Sequence, residues 1–311
     1  MKKFYTVLAL ITLMVVLEIA KYFANFICFY LFFAIQLVLL VAIIVLMCKG
    51  AKHKAISSLM LFCALIYIIT PTIIAFANTG EQNYEYVVHA GGGISNIQYL
   101  NSKEGFLQYA NEGCTIMEID FLYTSDGEIV GSHLFEHLDG FSFNNRPTLE
   151  EFENTKLEGK FSGITFDWLI EQLENFPEIR IIFDSKENDT ISLLEDMVEK
   201  ANEKDFDLLS RMIIQVYSIE NYNEIKNNPA LNFTTFWFTN YKSNYTNFQI
   251  QKYFGDKEDV ETIVLSCLDW WFYHRTGFHF DKKIAVHTVN GSSAVNFLAD
   301  RGANYIFVDR F

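Results

Sequence analysis

Apolar residues are distributed unevenly along the chain. Residues 1–80 are almost continuously apolar, with charges confined to short breaks, whereas polar and apolar positions alternate from Glu81 onward as in a soluble domain. Three apolar runs, at about residues 4–20, 24–47 and 55–77, are long enough to cross a bilayer core of about 30 Å. The pattern predicts about three transmembrane helices within residues 1–80, followed by a domain over residues 81–311.

Lysine residues predict how this region is oriented in the membrane. Lys2 and Lys3 precede the first apolar run, and Lys49, Lys52 and Lys54 lie between the second and the third, so both segments are expected in the cytoplasm. An odd number of spans then makes the chain a multi-pass cell-membrane protein with an extracytoplasmic C-terminal domain. Two alternatives are a signal peptide in place of the first span, and a merged first pair of spans that would leave the domain inside.

The rest of the chain alternates short β-rich runs with amphipathic segments. Helical periodicity is clear at residues 102–113 and 190–204, where apolar residues recur every three or four positions. Alternation of strands and helices is typical of α/β proteins with a parallel sheet. The predicted strands are residues 86–90, 115–121, 128–133, 179–186, 212–218, 232–238, 261–267, 283–289 and 304–310.

One pair of these strands is predicted to be antiparallel. Asp126-Gly127 separates the second and third runs, and this dipeptide is typical of a two-residue hairpin loop. That loop would place Phe121 opposite Ser132, and Asp120 opposite His133 on the same face. Eight parallel strands then remain, which predicts a (β/α)8 TIM barrel with a hairpin after its second strand. A doubly wound open sheet is the alternative fold.

A long segment separates the hairpin from the next predicted strand. Residues 134–178 exceed a simple connector, and Thr148 is a plausible N-cap of a short helix that begins with acidic residues. A small insertion that helps to select the substrate is expected here.

Polar residues stand at the ends of several predicted strands, where a core would require apolar ones. In a parallel barrel these strand ends converge on one mouth. Glu118, Asp120 and Asp184 would bring three carboxylates together there, which suits a hard divalent cation such as Ca²⁺ or Mg²⁺. The others are His89, Lys186, His287, Asn290 and Asp309.

The order of these motifs resembles that of the glycerophosphodiester phosphodiesterase family, within the phosphatidylinositol-phospholipase-C-like phosphodiesterases. The resemblance covers about residues 85–311, and no single motif carries it. The matching segments are HAG (89–91), EID (118–120), TSDG (124–127), SHL (132–134), DSK (184–186), HTVN (287–290) and GANYIFVD (302–309).

The resemblance implies hydrolysis of a phosphodiester to a phosphomonoester and an alcohol. His89 and His133 would be the general acid and base, and the metal would be held by Glu118, Asp120 and Asp184. The implied substrates are glycerophosphodiesters, lysophospholipids or glycerol-phosphate-type surface polymers, with the bilayer holding the enzyme near them. The substrate or its phosphate would contact Lys186, Gly91, Gly92, His287 and Asn290.

The sequence also departs from the family pattern. Ala90 replaces an arginine, Leu134 an aspartate, Asp184 a glutamate and His287 a tryptophan. A catalytically weak barrel that binds a phosphorylated head group or glycan is therefore the alternative function.

A purely structural role is the alternative for three of these residues or pairs. His287 can be structural, Asp184 and Lys186 can form an ion pair that ties two strands, and Asp309 can hold a loop at the barrel end.

The charge of the chain is strongly polarised. Residues 1–80 carry six Lys and one Glu, a net charge of +5. The overall net charge is −14, so residues 81–311 carry −19. Nucleic acid is not an expected partner, because binding to its backbone requires clustered Lys and Arg. Cys114 and Cys267 are the domain's two cysteines, and they do not suggest a disulfide framework.

Overall fold

The structure is a computed structural model, and it describes residues 84–310 apart from residues 268, 271–272 and 274–278. The predicted membrane spans at residues 4–20, 24–47 and 55–77 lie outside the described residues. Within the described part, no helix combines the length and the apolar character needed to cross a membrane.

The chain divides into two compact units. The described part of one unit contains residues 84–239, 258–267 and 282–310, and it holds the whole β-sheet. The described part of the other includes residues 240–257, with a 3₁₀ turn at Tyr241–Ser243 and one α-helix at Asn247–Phe254. That helix begins with a capping box, in which the Thr246 and Gln249 side chains each accept a backbone N–H of the other residue.

The strands and helices alternate as the sequence pattern predicts. In chain order the strands are β1 (Glu85–Val88), β2 (Ile116–Tyr123), β3 (Ile129–Gly131), β4 (Ile164–Thr165), β5 (Arg180–Ser185), β6 (Met212–Val216), β7 (Phe236–Thr239), β8 (Val260–Ser266), β9 (Lys283–His287) and β10 (Tyr305–Val308). The α-helices that lie wholly within the described residues are α1 (Lys103–Asn111), α2 (Leu149–Asn154), α3 (Phe166–Asn175), α4 (Thr190–Glu203), α5 (Ile219–Lys226), α6 (Asn247–Phe254) and α7 (Ser292–Ala299).

The sheet closes into a parallel barrel. Strands β2, β5, β6, β7, β8, β9, β10 and β1 pair in that order, and β1 then pairs with β2 through Val88 and Met117. The described residues thus form the predicted eight-stranded TIM barrel, and the open-sheet alternative is wrong. Each of the nine predicted strands is present. Strand β4 was not predicted, because two residues carry too little alternation to be recognised.

The predicted register of the β2–β3 hairpin is wrong by one residue. Phe121 pairs with Gly131, and the Thr124 N–H donates to the Glu128 carbonyl at 2.8 Å, so the loop has three residues instead of two. Only Gly127 of the loop has a positive φ, 86°, as in three-residue hairpin loops with a left-handed last residue. Consequently Ser132, and not His133, donates its backbone N–H to the Asp120 carbonyl.

The interior of the barrel changes from apolar to polar along the strands. Residues such as Ile116, Ile182 and Trp237 fill its first part, and Trp237 packs against Tyr305 with ring centroids 4.6 Å apart. Side chains two positions apart share a face of a strand. Glu118 therefore follows Ile116 into the interior, nearer the C-terminal mouth of the barrel.

A second apolar cluster lies beside the hairpin. Phe135, Leu138, Phe152 and Leu157 from the segment after β3 pack with residues that include Leu122 of β2. Helix α2 begins at Leu149, directly after Thr148, whose side chain forms the predicted N-cap as part of a capping box with Glu151. The last part of the predicted insertion, residues 166–175, is α3.

Candidate active site

Three carboxylates meet in the mouth of the barrel. Glu118 and Asp120 lie on β2, and the β2–β5 register places Asp120 directly beside Asp184. The three residues are 2%, 1% and 5% exposed, and one oxygen from each lies within 4.8 Å of the others. The predicted metal ligands are therefore brought together.

Lys186 bridges two of these carboxylates. Its Nζ lies 2.7 Å from Asp120 Oδ1 and 2.6 Å from Asp184 Oδ2. Burial alone would lower the pKa of Lys186, but the surrounding carboxylates raise it well above its ordinary value. The ammonium group is therefore charged and offsets part of the negative charge.

Neutral donors contact three of the other carboxylate oxygens. The Ala90 N–H donates to Glu118 Oε2 at 2.9 Å, and the Asn101 Nδ2 donates to Asp120 Oδ2 at 2.8 Å. The Tyr217 hydroxyl donates to Asp184 Oδ1 at 2.8 Å. At position 90, where the family pattern has an arginine, the backbone N–H of Ala90 contacts the acidic cluster.

The electrostatics of the cluster fit a bound divalent cation. Burial, together with the neighbouring acids, raises the pKa of Glu118 to about 8, and burial also raises the pKa of Asp184. The cost of burying several negative charges in one place is not cancelled by Lys186 alone. An oxygen-only ligand set is the one that Ca²⁺ and Mg²⁺ prefer. Glu118, Asp120 and Asp184 could therefore hold such an ion.

His89 stands beside this cluster and is held by Asp309. Its Nδ1 lies 2.7 Å from Asp309 Oδ1, and its Nε2 lies 3.5 Å from Glu118 Oε2. Burial would lower the pKa of His89, but Glu118 and Asp309 raise it to about 9. In the metal-free site these two carboxylates therefore favour the protonated form of the imidazole.

Asp309 is itself held by two amides. The Gln98 Nε2 donates to its Oδ2 at 2.5 Å, and the Asn290 Nδ2 donates to the same oxygen at 2.6 Å. The Asn290 Oδ1 in turn accepts the Asp309 backbone N–H at 3.0 Å. Asn290, predicted at the substrate, thus contributes by orienting the partner of His89.

His133 reaches the same area from beyond the end of β3. Its ring centroid lies 5.1 Å from that of Tyr99, and the ring centroid of His89 lies 4.8 Å from that of the same tyrosine. The His133 Nδ1 lies 2.7 Å from Glu136 Oε1. The two predicted catalytic histidines therefore both contact Tyr99, although the register that was used to place His133 is wrong.

The glycines after His89 have a structural explanation. Gly91 and Gly92 have φ values of 68° and 86°, which side chains rarely adopt. A Cβ on Gly92 would overlap the Tyr109 ring, and the Gly92 N–H donates to the His89 carbonyl at 2.9 Å. Their contact with phosphate stays a prediction.

His287 lies half-buried at the end of β9. Burial and the charge of His89 lower its pKa to about 4, so the ring is neutral at physiological pH. The ring packs edge-on against Phe307, with centroids 6.1 Å apart. A neutral imidazole can accept one hydrogen bond from a hydroxyl, but it adds no positive charge for a phosphate.

Several site residues were missed or undervalued in the sequence. Asp309 was expected to hold a loop, yet it contacts His89. Gln98, Asn101 and Tyr217 contact site residues that are 211, 19 and 33 positions away, so no local spacing indicates them, whereas Glu136 is three residues from His133 and was overlooked. The residues without a prediction are Gln98, Tyr99, Asn101, Glu136 and Tyr217.

Solved structures with this fold were found by comparison. A glycerophosphodiester phosphodiesterase from Parabacteroides distasonis has a TM-score of 0.54 and 17% identity, over 74% of this chain and 94% of that one. The enzyme of that name from Agrobacterium tumefaciens has a TM-score of 0.51 and 15% identity, over 73% and 97%.

A further similar structure contains a bound product. It is a phosphodiesterase from Oleispira antarctica in complex with sn-glycerol-3-phosphate, with a TM-score of 0.52 and 14% identity, over 76% of this chain and 95% of that one. No protein-family model and no curated protein matches the chain. At these identities the similarity establishes the barrel fold.

Proposed function

We propose that this chain is a metal-dependent phosphodiesterase that hydrolyses glycerophosphodiesters, lysophospholipids or related phosphodiester-linked lipids and surface polymers. The observation that carries the proposal is the buried group of Glu118, Asp120 and Asp184 with His89 beside it at the barrel mouth. The names of the solved structures with the same fold support this choice of reaction.

The two histidines divide the proton transfers. His89 Nδ1 lies 2.7 Å from Asp309 Oδ1, a contact that raises the pKa of His89 and favours its protonated form, so His89 suits the general acid that protonates the leaving alcohol. His133 then acts as the general base that takes the proton of the nucleophile, which is either water or a neighbouring hydroxyl of the substrate. In the second case a cyclic phosphate forms, and water then opens it. Roles of this kind typically contribute about 10²- to 10⁴-fold in rate.

A divalent cation would supply electrostatic stabilisation of the phosphate oxygens when bound. Glu118, Asp120 and Asp184 are the residues that would hold it. Lys186 adds a fixed positive charge at the same place, since it lies within 2.7 Å of Asp120 and 2.6 Å of Asp184. These charges suit an anionic substrate in an otherwise acidic domain.

Residues 1–80 would anchor the enzyme in the cell membrane and hold the barrel on the extracytoplasmic side. The hydropathy of the chain and its lysine distribution support this part of the proposal.

The test uses the full-length protein in detergent with a panel of glycerophosphodiesters and lysophospholipids. Release of alcohol is measured with Ca²⁺, Mg²⁺ or EDTA, for the wild type and for His89→Ala and His133→Ala. We expect metal-dependent turnover that each substitution lowers by about 10²-fold or more. Binding of the cation without turnover of any substrate would favour the head-group-binding alternative, and turnover unaffected by EDTA would contradict the metal site.

A further inference from the structure

The side chain of Glu136 holds two donors from the segment that carries His133. Its Oε1 lies 2.7 Å from His133 Nδ1, and its Oε2 accepts the Leu134 backbone N–H at 2.7 Å. Each oxygen of the carboxylate therefore has its own partner. A carboxylate fixed at both oxygens has little freedom to turn away from the imidazole.

The local backbone brings Glu136 back to His133. Phe135 has a φ of 62°, and this left-handed residue reverses the chain between the two side chains. The Phe135 N–H donates to Ser132 Oγ at 3.0 Å, and its buried ring packs against Phe152 with centroids 6.1 Å apart. Apolar packing thus holds the turn that positions Glu136.

This contact selects one form of the His133 ring. Burial would raise the pKa of Glu136, but hydrogen bonds from His133 and from backbone N–H groups lower it below its ordinary value. An ionised carboxylate is only an acceptor, so Nδ1 of His133 must carry the proton. In the neutral ring Nε2 then has the lone pair and can accept a proton.

We infer that Glu136 is a positioning residue for His133, which fixes the tautomer and the orientation of the ring so that Nε2 is the basic atom. The inference rests on the proposed function, because it deepens the role of His133 in that reaction. His89 and Asp309 form a second pair of the same kind, with 2.7 Å between Nδ1 and Oδ1. Both pairs meet at Tyr99.

The chain offers a matched control pair. His137 Nδ1 lies 2.7 Å from Glu158 Oε1, the same geometry in the same segment after β3. The carboxylate side chains are also similarly exposed, 39% for Glu136 and 43% for Glu158. Glu158→Gln therefore controls for the loss of a surface histidine–carboxylate pair that is outside the proposed site.

The first measurement does not require activity. The ¹⁵N spectrum of the full-length protein labelled at its seven histidines reports the tautomer of each ring. We expect the Nδ1–H form at His133 in the wild type and in Glu158→Gln, and loss of that preference in Glu136→Ala. An unchanged His133 tautomer in a folded Glu136→Ala protein would overturn the inference, even if no phosphodiester is hydrolysed by the wild type.

The second measurement is steady-state kinetics with the substrate found active in the panel. Carboxylates that orient metal-ligating histidines typically contribute about 10- to 100-fold, and we expect Glu136→Gln to lower kcat by a factor of the same order with KM nearly unchanged. Glu136→Asp should recover part of the loss, and Glu158→Gln should match the wild type. Wild-type kcat in Glu136→Gln, alongside an inactive His133→Ala, would also overturn the inference. Absence of wild-type turnover would instead refute the proposed function, and the tautomer would still decide the role of Glu136.

Discussion

Asp309 and His89 are 220 residues apart in the chain, yet Oδ1 of one lies 2.7 Å from Nδ1 of the other. Parallel pairing of β1 with β10 brings them together, because both side chains follow directly after paired strand ends, at Val88 and Val308. The aspartate is thereby part of the candidate active site and does more than hold a loop at the end of the barrel.

Replacement of Asp309 by Asn should lower activity and change its pH dependence. Asp309 is one of the groups that raise the pKa of His89 to about 9. Without its charge His89 should lose its proton at lower pH, so the alkaline fall in kcat/KM should move below that of the wild type. We expect a loss of about 10- to 100-fold at neutral pH. A pH–rate profile measures both, and Asp300→Asn, at an exposed carboxylate after α7, is the control. An unchanged alkaline limb in Asp309→Asn would contradict the assignment of His89 as the acid.

The metal-free protein should become less stable as the pH rises. The pKa of Glu118 is raised from 4.5 to about 8 in the folded chain. Between these values the folded state holds a proton that the unfolded state has released, so stability decreases with increasing pH across this window. Ca²⁺ or Mg²⁺ should oppose the decrease by binding the carboxylate.

Thermal unfolding of the full-length protein in EDTA, from pH 5 to pH 8, measures this effect. Glu118→Gln should flatten the dependence of Tm on pH, because the amide does not titrate. The prediction fails if the wild type and Glu118→Gln show parallel Tm curves, or if neither cation raises the Tm of the wild type at pH 8.

Two glycines with the same positive φ should tolerate alanine differently. Gly92 and Gly140 both have a φ of 86°, but a Cβ on Gly92 would overlap Tyr109 whereas a Cβ on Gly140 would meet nothing within 4 Å. Gly140→Ala should cost about 1–2 kcal/mol from the left-handed conformation alone. Gly92→Ala should cost a further 1–3 kcal/mol, roughly, because of overpacking.

Chemical denaturation of the two variants checks this difference in the free energy of unfolding. Equal costs would show that the close approach of Tyr109 to Gly92 does not constrain the fold, and a phosphate-binding explanation for this glycine would then gain weight.

The sequence by itself determined the positions of the long strands. It also determined that the side chains of Glu118 and Asp120 lie on the same face of one strand. Alternation along a strand is a local property, and two residues of the same strand two positions apart share a face whatever the rest of the chain does. Parallel β2–β5 pairing then makes the approach of Asp184 predictable, because polar strand ends in a barrel converge on one mouth.

Only the tertiary structure decided which partner each histidine has. A single residue more in the β2–β3 loop moves every cross-strand pair, so the turn signal at Asp126-Gly127 was not enough to place His133. Glu136 reaches it because Phe135 turns through a left-handed conformation that packing in the second apolar cluster stabilises. Asp309 reaches His89 through closure of the barrel, a contact between the two ends of the domain that no local pattern encodes.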